Sequence, residues 1–246
     1  MSRSLFAGSI ALAALAGVAS WPALADRIER NILDQDGKPV AASWASTGRF
    51  DALTATGMDD VRLQTGPRWQ IRATGDGRAI AQLRFAIEDG ALVVGRLSKP
   101  RERYGKLTVE ITAPSLRAVT AAGSGMVDVD AIGGARAAAT VAGSGRATVR
   151  KVAADSLSAT VAGSGSLYLT GRARRADVTI AGSGGVAGDA FTAGSADVTV
   201  AGSGSARFRS PGAIRATIAG SGGVSVVGTT NCDQTRMGSG RLTCTR

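Results

Sequence analysis

The sequence predicts an all-β protein: a parallel β-solenoid, or β-helix, of about seven coils behind an N-terminal cap rich in β-hairpins. The first observation is a Gly-Ser-Gly phrase that recurs seven times at intervals of 18–20 residues. A fixed period of this kind is typical of solenoids, whose coils bury their apolar faces against one another. The second observation is that apolar and polar residues alternate on both sides of the phrase, which is the periodicity of a β-strand. The phrases begin at Gly123, Gly143, Gly163, Gly182, Gly202, Gly220 and Gly238.

Alignment of the seven copies on their first glycine separates inward from outward positions. Apolar residues dominate two and four positions before this glycine, as at Val161 and Ala159, and four and six positions after it. We therefore expect each coil to contain a strand, a tight turn and a second strand, with the even positions facing the core. A threonine stands three positions before the glycine in every copy. These threonines should form an outward ladder, for which strand propensity is a better explanation than an ice-binding or mineral-binding face.

The Gly-Ser-Gly phrase itself is predicted to be a structural turn. Glycine adopts positive φ without a steric penalty, so two glycines can reverse the chain in a small space. A phosphate-binding loop, the other interpretation of a glycine-rich phrase, occurs once, follows a strand and opens a helix. Seven copies between strands do not fit that pattern.

The repeated units resemble a known family. Val-Ala-Gly-Ser-Gly and Ile-Ala-Gly-Ser-Gly recur and are preceded by the segment Val109–Leu116, VEITAPSL. This combination is similar to the head GIN domain family, whose members are bacterial exported proteins described as auto-transporter adhesin heads. The resemblance extends from about Phe50 to the C-terminus and is strongest in the repeats. It implies a β-solenoid outside the cytoplasm and supplies no catalytic residues.

The N-terminus has the pattern of a secretory signal peptide over residues 1–25. Arg3 supplies the positive n-region, an apolar h-region follows, and a small-residue cleavage site ends at Ala25. The apolar run is too short for a good membrane span, and no later segment is long and apolar enough to cross a bilayer. We therefore expect an exported protein of the periplasm or cell surface, or a secreted one.

Three further segments are predicted after the signal peptide. Residues 26–49 form a lead-in segment, residues 50–106 a β cap and residues 107–246 the solenoid. The cap should contain hairpins, because the dipeptide that starts at Asp89 is Asp-Gly and separates two strand-like runs. A cap would also cover the edge of the first coil, which would otherwise promote aggregation.

The chain is strongly basic, with 29 Lys and Arg residues against 19 Asp and Glu residues and a formal net charge of +10. Such a surface favours anionic partners, and we expect an anionic polysaccharide or envelope component rather than a specific nucleic acid. The alternative is a diffuse solubilising charge, because the arginines are scattered along the chain. The candidate contacts to an anionic ligand are outward arginines of the repeats: Arg146, Arg150, Arg207 and Arg209.

Outward charges also predict ion pairs between neighbouring coils. Asp130 is followed one coil later by Arg150, and Asp189 by Arg209, at the same position of the repeat. Opposite charges stacked on neighbouring strands stabilise a sheet by a few tenths of a kcal/mol each.

No catalytic residue, cofactor or metal is expected. The chain contains no His, so it lacks the commonest general base and metal ligand. Asp177 and Asp197 should lie about 5 Å apart on successive coils, which resembles the carboxyl pair of a retaining glycosidase. A structural ladder explains them better, since both should be at the surface with Arg215 on the next coil. A carbohydrate-active β-helix enzyme is thus the alternative to a non-catalytic binding or structural module.

The two cysteines, Cys232 and Cys244, are predicted to form a disulfide. They lie six positions before and after Gly238, so both should face inward from opposite strands of the last arch. Ile214 and Val226 occupy the same positions one coil earlier, and a facing pair of this kind brings the sulfurs into bonding range. An exported protein also meets oxidising conditions. A redox-active or metal-binding pair is the alternative, but no Cys-x-x-Cys spacing or further ligand supports it.

Cleavage of the signal peptide should leave Asp26 as the first residue of the exported protein. N-terminal sequencing of material from the periplasm or culture medium checks this expectation. Soluble exported protein that still begins at Met1 would contradict the assignment.

Overall fold

The computed structural model describes residues 32–35, 37–39, 44–45, 50–97, 104–114 and 116–246. The predicted signal peptide and most of the predicted lead-in segment lie outside these residues. Residues Leu33–Arg246 form one unit. The helices among the described residues are α1 (Ile32–Gln35) and α2 (Gly77–Gln82).

Most of the remaining described chain is β-strand. The strands up to the first Gly-Ser-Gly turn are β1 (Lys38–Pro39), β2 (Trp44–Ala45), β3 (Ala52–Gly57), β4 (Asp60–Thr65), β5 (Gln70–Thr74), β6 (Leu83–Glu88), β7 (Ala91–Arg96), β8 (Thr108–Ala113) and β9 (Ala118–Gly123). The strands after it are β10 (Met126–Val129), β11 (Ile132–Gly143), β12 (Arg146–Gly163), β13 (Ser166–Gly182), β14 (Gly185–Gly202), β15 (Ser205–Arg209), β16 (Ile214–Gly220), β17 (Gly223–Val227), β18 (Cys232–Met237) and β19 (Arg241–Thr245).

The strands from β9 onward wind into a parallel β-solenoid, so the predicted fold class is confirmed. Equivalent positions of successive repeats are register partners; Thr140, for example, lies beside Thr120 and Thr160. The solenoid has about six turns, whereas the sequence predicted about seven coils.

The Gly-Ser-Gly corners stack directly on one another. The carbonyl oxygen of Gly123 accepts hydrogen bonds from the N–H groups of Ser144 (3.0 Å) and Gly145 (2.8 Å) on the next coil. The two glycines serve different purposes. Gly143 has a φ of +116°, which favours glycine, whereas Gly145 lacks positive φ but a Cβ there would lie 2.5 Å from the oxygen of Gly125.

The even positions of the repeat form the core, as predicted. Val161 and Ala159 are fully buried, and the other apolar residues at equivalent positions of the first six repeats are buried as well. The threonine ladder faces outward in most copies, although Thr140 is only 3% exposed. In the last coil the inward positions hold Gln234 and Arg236, and both side chains are exposed. The regular apolar core therefore ends one coil before the last.

The last coil is closed by the predicted disulfide, which is confirmed. Cys232 and Cys244 are bonded, with their Cα atoms 6.7 Å apart. Their register partners one coil earlier are Ile214 and Val226, so the disulfide takes the place of a facing apolar pair. Both cysteines pack against the core.

The segment before the repeats combines antiparallel hairpins with parallel coils. β6 and β7 form a hairpin through Asp89 and Gly90, both of which have positive φ, as the Asp-Gly dipeptide predicted. β3 and β4 pair in parallel with β9 and β10, so they act as a further coil without the Gly-Ser-Gly phrase. β7 and β8 lie on the other side of β3 and β4. The order of coils along the solenoid therefore departs from the order along the chain.

A buried ion pair holds these first coils together. The side chain of Asp59, between β3 and β4, is 3% exposed and lies 2.5 Å from the guanidinium of Arg96 at the end of β7. Asp59 also accepts a hydrogen bond of 2.9 Å from the N–H of Leu107, and Arg96 donates to the carbonyl of Gly105. The buried carboxylate is thus well satisfied, as a buried charge must be.

Val161→Asp should unfold the solenoid far more easily than Thr160→Asp, although the two residues are neighbours. Val161 is fully buried, so an unpaired carboxylate there costs on the order of 4 kcal/mol. The partly exposed Thr160 leaves the charge in contact with water. Thermal unfolding followed by circular dichroism compares the two variants. Equal losses of stability would mean that the side chains face the opposite way.

Gly145→Ala should destabilise the protein by about 1–3 kcal/mol, because the added Cβ overlaps the backbone of the preceding coil. Ser144→Ala is the matched control. Its side chain is exposed, so the loss should stay below about 0.5 kcal/mol. Denaturant unfolding of both variants measures the difference, and a neutral Gly145→Ala would show that the corners need no close approach.

Candidate functional site

The four arginines predicted to contact an anionic ligand lie on one outward surface, which we call the arginine face. It consists of the outward side of the strand segments that follow the Gly-Ser-Gly turns. Arg146 and Arg150 lie on β12, and Arg207 and Arg209 on β15, with β13 and β14 between them. Three strand spacings separate the two pairs by roughly 14 Å. The structure therefore places the arginines on one face but in two separate pairs.

Arg146 lies over an exposed aromatic ring. Its guanidinium carbon is 5.2 Å from the ring centroid of Tyr168, which is 38% exposed on the next coil. A cation–π contact at an exposed site contributes about 0.5–1 kcal/mol. It also orders the guanidinium at the surface without neutralising its charge.

Arg150 and Arg207 are paired with carboxylates, but not as the sequence predicted. Arg150 forms a bidentate pair with Asp128, whose carboxylate raises the pKa of the guanidinium through its hydrogen bond and its charge. Arg207 lies 3.6 Å from Asp189. The predicted pairs, Asp130 with Arg150 and Asp189 with Arg209, are therefore wrong, because the long side chains reach diagonally to the neighbouring coil.

The other two arginines keep uncompensated charge. Among the residues that the structure describes, neither Arg146 nor Arg209 forms an ion pair, and both are exposed. The positive potential of the arginine face is therefore concentrated at these two positions.

The two stacked aspartates considered for catalysis are bridged by an arginine. Asp177 and Asp197 are register partners on β13 and β14. Arg175 lies 3.7 Å from Asp177 and also forms an ion pair with Asp197. The guanidinium offsets the repulsion between the carboxylates, which is the behaviour of a structural ladder.

An open groove of about 690 Å³, which we call the axial groove, is lined by residues of β11, β12, β13 and β14. It spans four successive coils, a length of roughly 14 Å at one strand spacing per coil. The residues along its middle, Gly134, Ala154 and Ala173, are register partners and carry no side chain larger than a methyl group. The lining consists of Gly134, Ala135, Ala153, Ala154, Asp155, Arg172, Ala173, Arg174, Thr192 and Gly194.

The walls of the axial groove carry the charges. On one wall Arg174 lies 3.0 Å from Asp155. On the other, Arg172 is exposed and has no ion pair within the described part of the chain. Arg172 is the register partner of Thr192, which in turn pairs with Arg209. The candidate residue Arg209 thus extends this wall by one coil.

The sequence analysis missed the axial groove. The repeats are 18–20 residues long, and the groove residues lie in the part of the repeat where these differences in length occur. They therefore fall outside the aligned positions. The available signal was the set of small residues in this part of successive copies, such as Gly134, Ala154 and Ala173.

Neither a metal site nor a membrane helix emerges from the described ranges. No group of three or more His, Cys, Asp or Glu residues in them is placed to hold a metal ion. Similarly, no helix among these residues has the length and apolar character that crossing a membrane requires.

Solved structures with the same fold come from Bacteroides and Parabacteroides species. A "putative adhesin" of Bacteroides fragilis matches with a TM-score of 0.73 at 18% identity, covering 84% of this chain and 98% of its own. A "putative adhesin" of Parabacteroides merdae gives 0.66 at 21% identity, covering 82% and 95%. A "putative lipid binding protein" of Parabacteroides distasonis gives 0.64 at 22% identity, also covering 82% and 95%. At these identities the likeness shows the shared fold.

Sequence comparisons establish the family. No curated protein matches the chain. The family model described as "Putative auto-transporter adhesin, head GIN domain" matches residues 49–230, which include all but the last of the Gly-Ser-Gly turns. The chain therefore belongs to the head GIN domain family, as the resemblance of its repeats implied.

Proposed function

We propose that this protein is an exported, non-catalytic adhesin-like module that binds an anionic polysaccharide of the cell envelope. The observation that carries the proposal is the uncompensated charge of Arg146 and Arg209 on an outward face. Arg150 and Arg207 share their charge with aspartates and would add weaker contacts. A basic surface of this kind attracts polyanions over a distance set by ionic strength.

The arginine face also offers a platform for sugars. Tyr168 presents an exposed ring beside Arg146, and its register partners on the adjacent coils, Thr148 and Ala187, are small. An aromatic ring with a polar tip suits an interface that is partly apolar and partly wet. A guanidinium next to it supplies donors for carboxylate or phosphate groups.

Three observations support a non-catalytic role over a carbohydrate-active enzyme. Arg175 bridges Asp177 and Asp197, so these carboxylates already have a partner. The chain contains no His, and the family is described by its adhesin character and not by a reaction. Export is supported by the signal-peptide pattern of residues 1–25.

The test is binding of the mature chain, residues 26–246, to polygalacturonate as the anionic probe and dextran as the neutral one. Polygalacturonate should bind and dextran should not. Raising the salt from about 0.1 M to about 1 M should greatly weaken binding, because the Debye length falls from about 10 Å to about 3 Å. Salt-insensitive retention of dextran would contradict the proposal.

The double variant Arg146→Ser with Arg209→Ser should lower the affinity for polygalacturonate about tenfold, since each exposed charge contact contributes up to about 1 kcal/mol. The matched control is Arg68→Ser with Arg72→Ser, which removes the same charge from exposed residues outside the repeats. Equal losses in both double variants would show that only the net charge matters and would overturn the assignment to the arginine face.

A further inference from the structure

We propose that the axial groove is the ligand-binding site and that it binds a linear acidic polysaccharide running parallel to the solenoid axis. This inference rests on the proposed function and assigns the polysaccharide to a second surface, the axial groove, in addition to the arginine face. Arg172 and Arg209 would contact carboxylates at two points of the same chain. Arg146 and Tyr168, on the part of the arginine face away from Arg209, would then add contacts outside the groove.

The shape of the groove favours an extended chain. Gly134, Ala154 and Ala173 follow one another along its middle on successive coils, so nothing larger than a methyl group interrupts the path. Residues on both sides of this line, such as Ala153 and Asp155, also line the groove and form its walls. The groove is open to solvent, so an extended chain can enter it from the side.

The charges of the groove favour a polyanion. Arg172 and Arg209 lie two coils apart on the same wall, since Thr192 is the register partner of both. Two strand spacings place their backbones roughly 10 Å apart. On the opposite wall Arg174 is held by Asp155, but a guanidinium has five N–H donors and keeps some for a ligand. Two arginines and one aspartate thus line the groove, and Arg209 adds a further cation on the next coil.

Other occupants of the groove have less support. No aromatic side chain lines it, so the bases of a single-stranded nucleic acid would find no stacking platform. The strands beneath it are paired on both sides, so a peptide cannot add to a free strand edge. The groove is open to solvent, whereas a lipid acyl chain needs an enclosed apolar site.

The decisive variants separate the groove from the arginine face. Ala153→Trp places a large ring on an exposed wall position and should block the groove, whereas Ala162→Trp makes the same change at an exposed corner position outside it. Arg172→Ser removes a groove cation, and Arg172→Lys keeps the charge as a rescue. Arg146→Ser reports on the arginine face alone.

Binding of polygalacturonate fragments of defined length to the mature chain is measured by calorimetry. Affinity should rise with fragment length until the groove is filled. Ala153→Trp should weaken binding of the longest fragment at least tenfold and Arg172→Ser several-fold, while Ala162→Trp and Arg172→Lys should leave it nearly unchanged. Circular dichroism should show the same melting curve for all variants that are compared.

Three outcomes would overturn the inference in distinguishable ways. If long fragments bind and only Arg146→Ser weakens them, the groove assignment fails while the proposed function stands. If neither fragments nor polymer bind, both fail. If vesicles with an anionic lipid or a single-stranded nucleic acid bind more tightly and Ala153→Trp blocks them, the groove is a binding site but the polysaccharide assignment is wrong.

Discussion

The stacking of each Gly-Ser-Gly corner on the one before it sets the register of the whole solenoid. Two N–H groups of one corner, as in Ser144 and Gly145, bond to the same carbonyl oxygen, that of Gly123. Glycine is required twice, once for its positive φ and once for the close approach of two backbones. Because side chains alternate between faces, a slip of one residue at a corner would turn the core outward along the entire coil. The buried core, the arginine face and the walls of the axial groove all depend on this register.

The sequence predicted the periodic part of the fold because every repeat carries the same information. The inward positions and the disulfide between Cys232 and Cys244 followed from counting residues from the corners, and the structure agrees. The parallel coils made by β3 with β4 and by β7 with β8 were not predicted, since they lack the Gly-Ser-Gly phrase. The helix α2 was missed as well; it is only six residues long, with Asp76 as its N-cap.

The candidate site was predicted less well than the fold because side-chain partners depend on distances across strands. Position in the repeat identified the outward arginines correctly. It could not show that Arg150 and Arg207 reach diagonally to Asp128 and Asp189. Within the described residues, Arg209 is thereby left without an ion pair. The axial groove lies in the part of the repeat that differs in length between copies, so its residues do not align and were not recognised as a common surface. The regular positions of the repeat revealed the core, whereas the axial groove is formed by the irregular ones.

The displaced order of the first coils has a consequence for the route of folding. Successive repeats pair residues that are 18–20 apart in the chain, whereas Asp51 and Arg117, beside the β3–β9 pairing, are 66 apart. Closing that longer loop costs about 1 kcal/mol more in chain entropy, and it must enclose β7 and β8 on the far side of β3. Local contacts form faster than distant ones. We therefore expect the repeats to nucleate folding and the N-terminal coils to join last. If the chain crosses a membrane N-terminus first, the segment that emerges first would then be the last to fold.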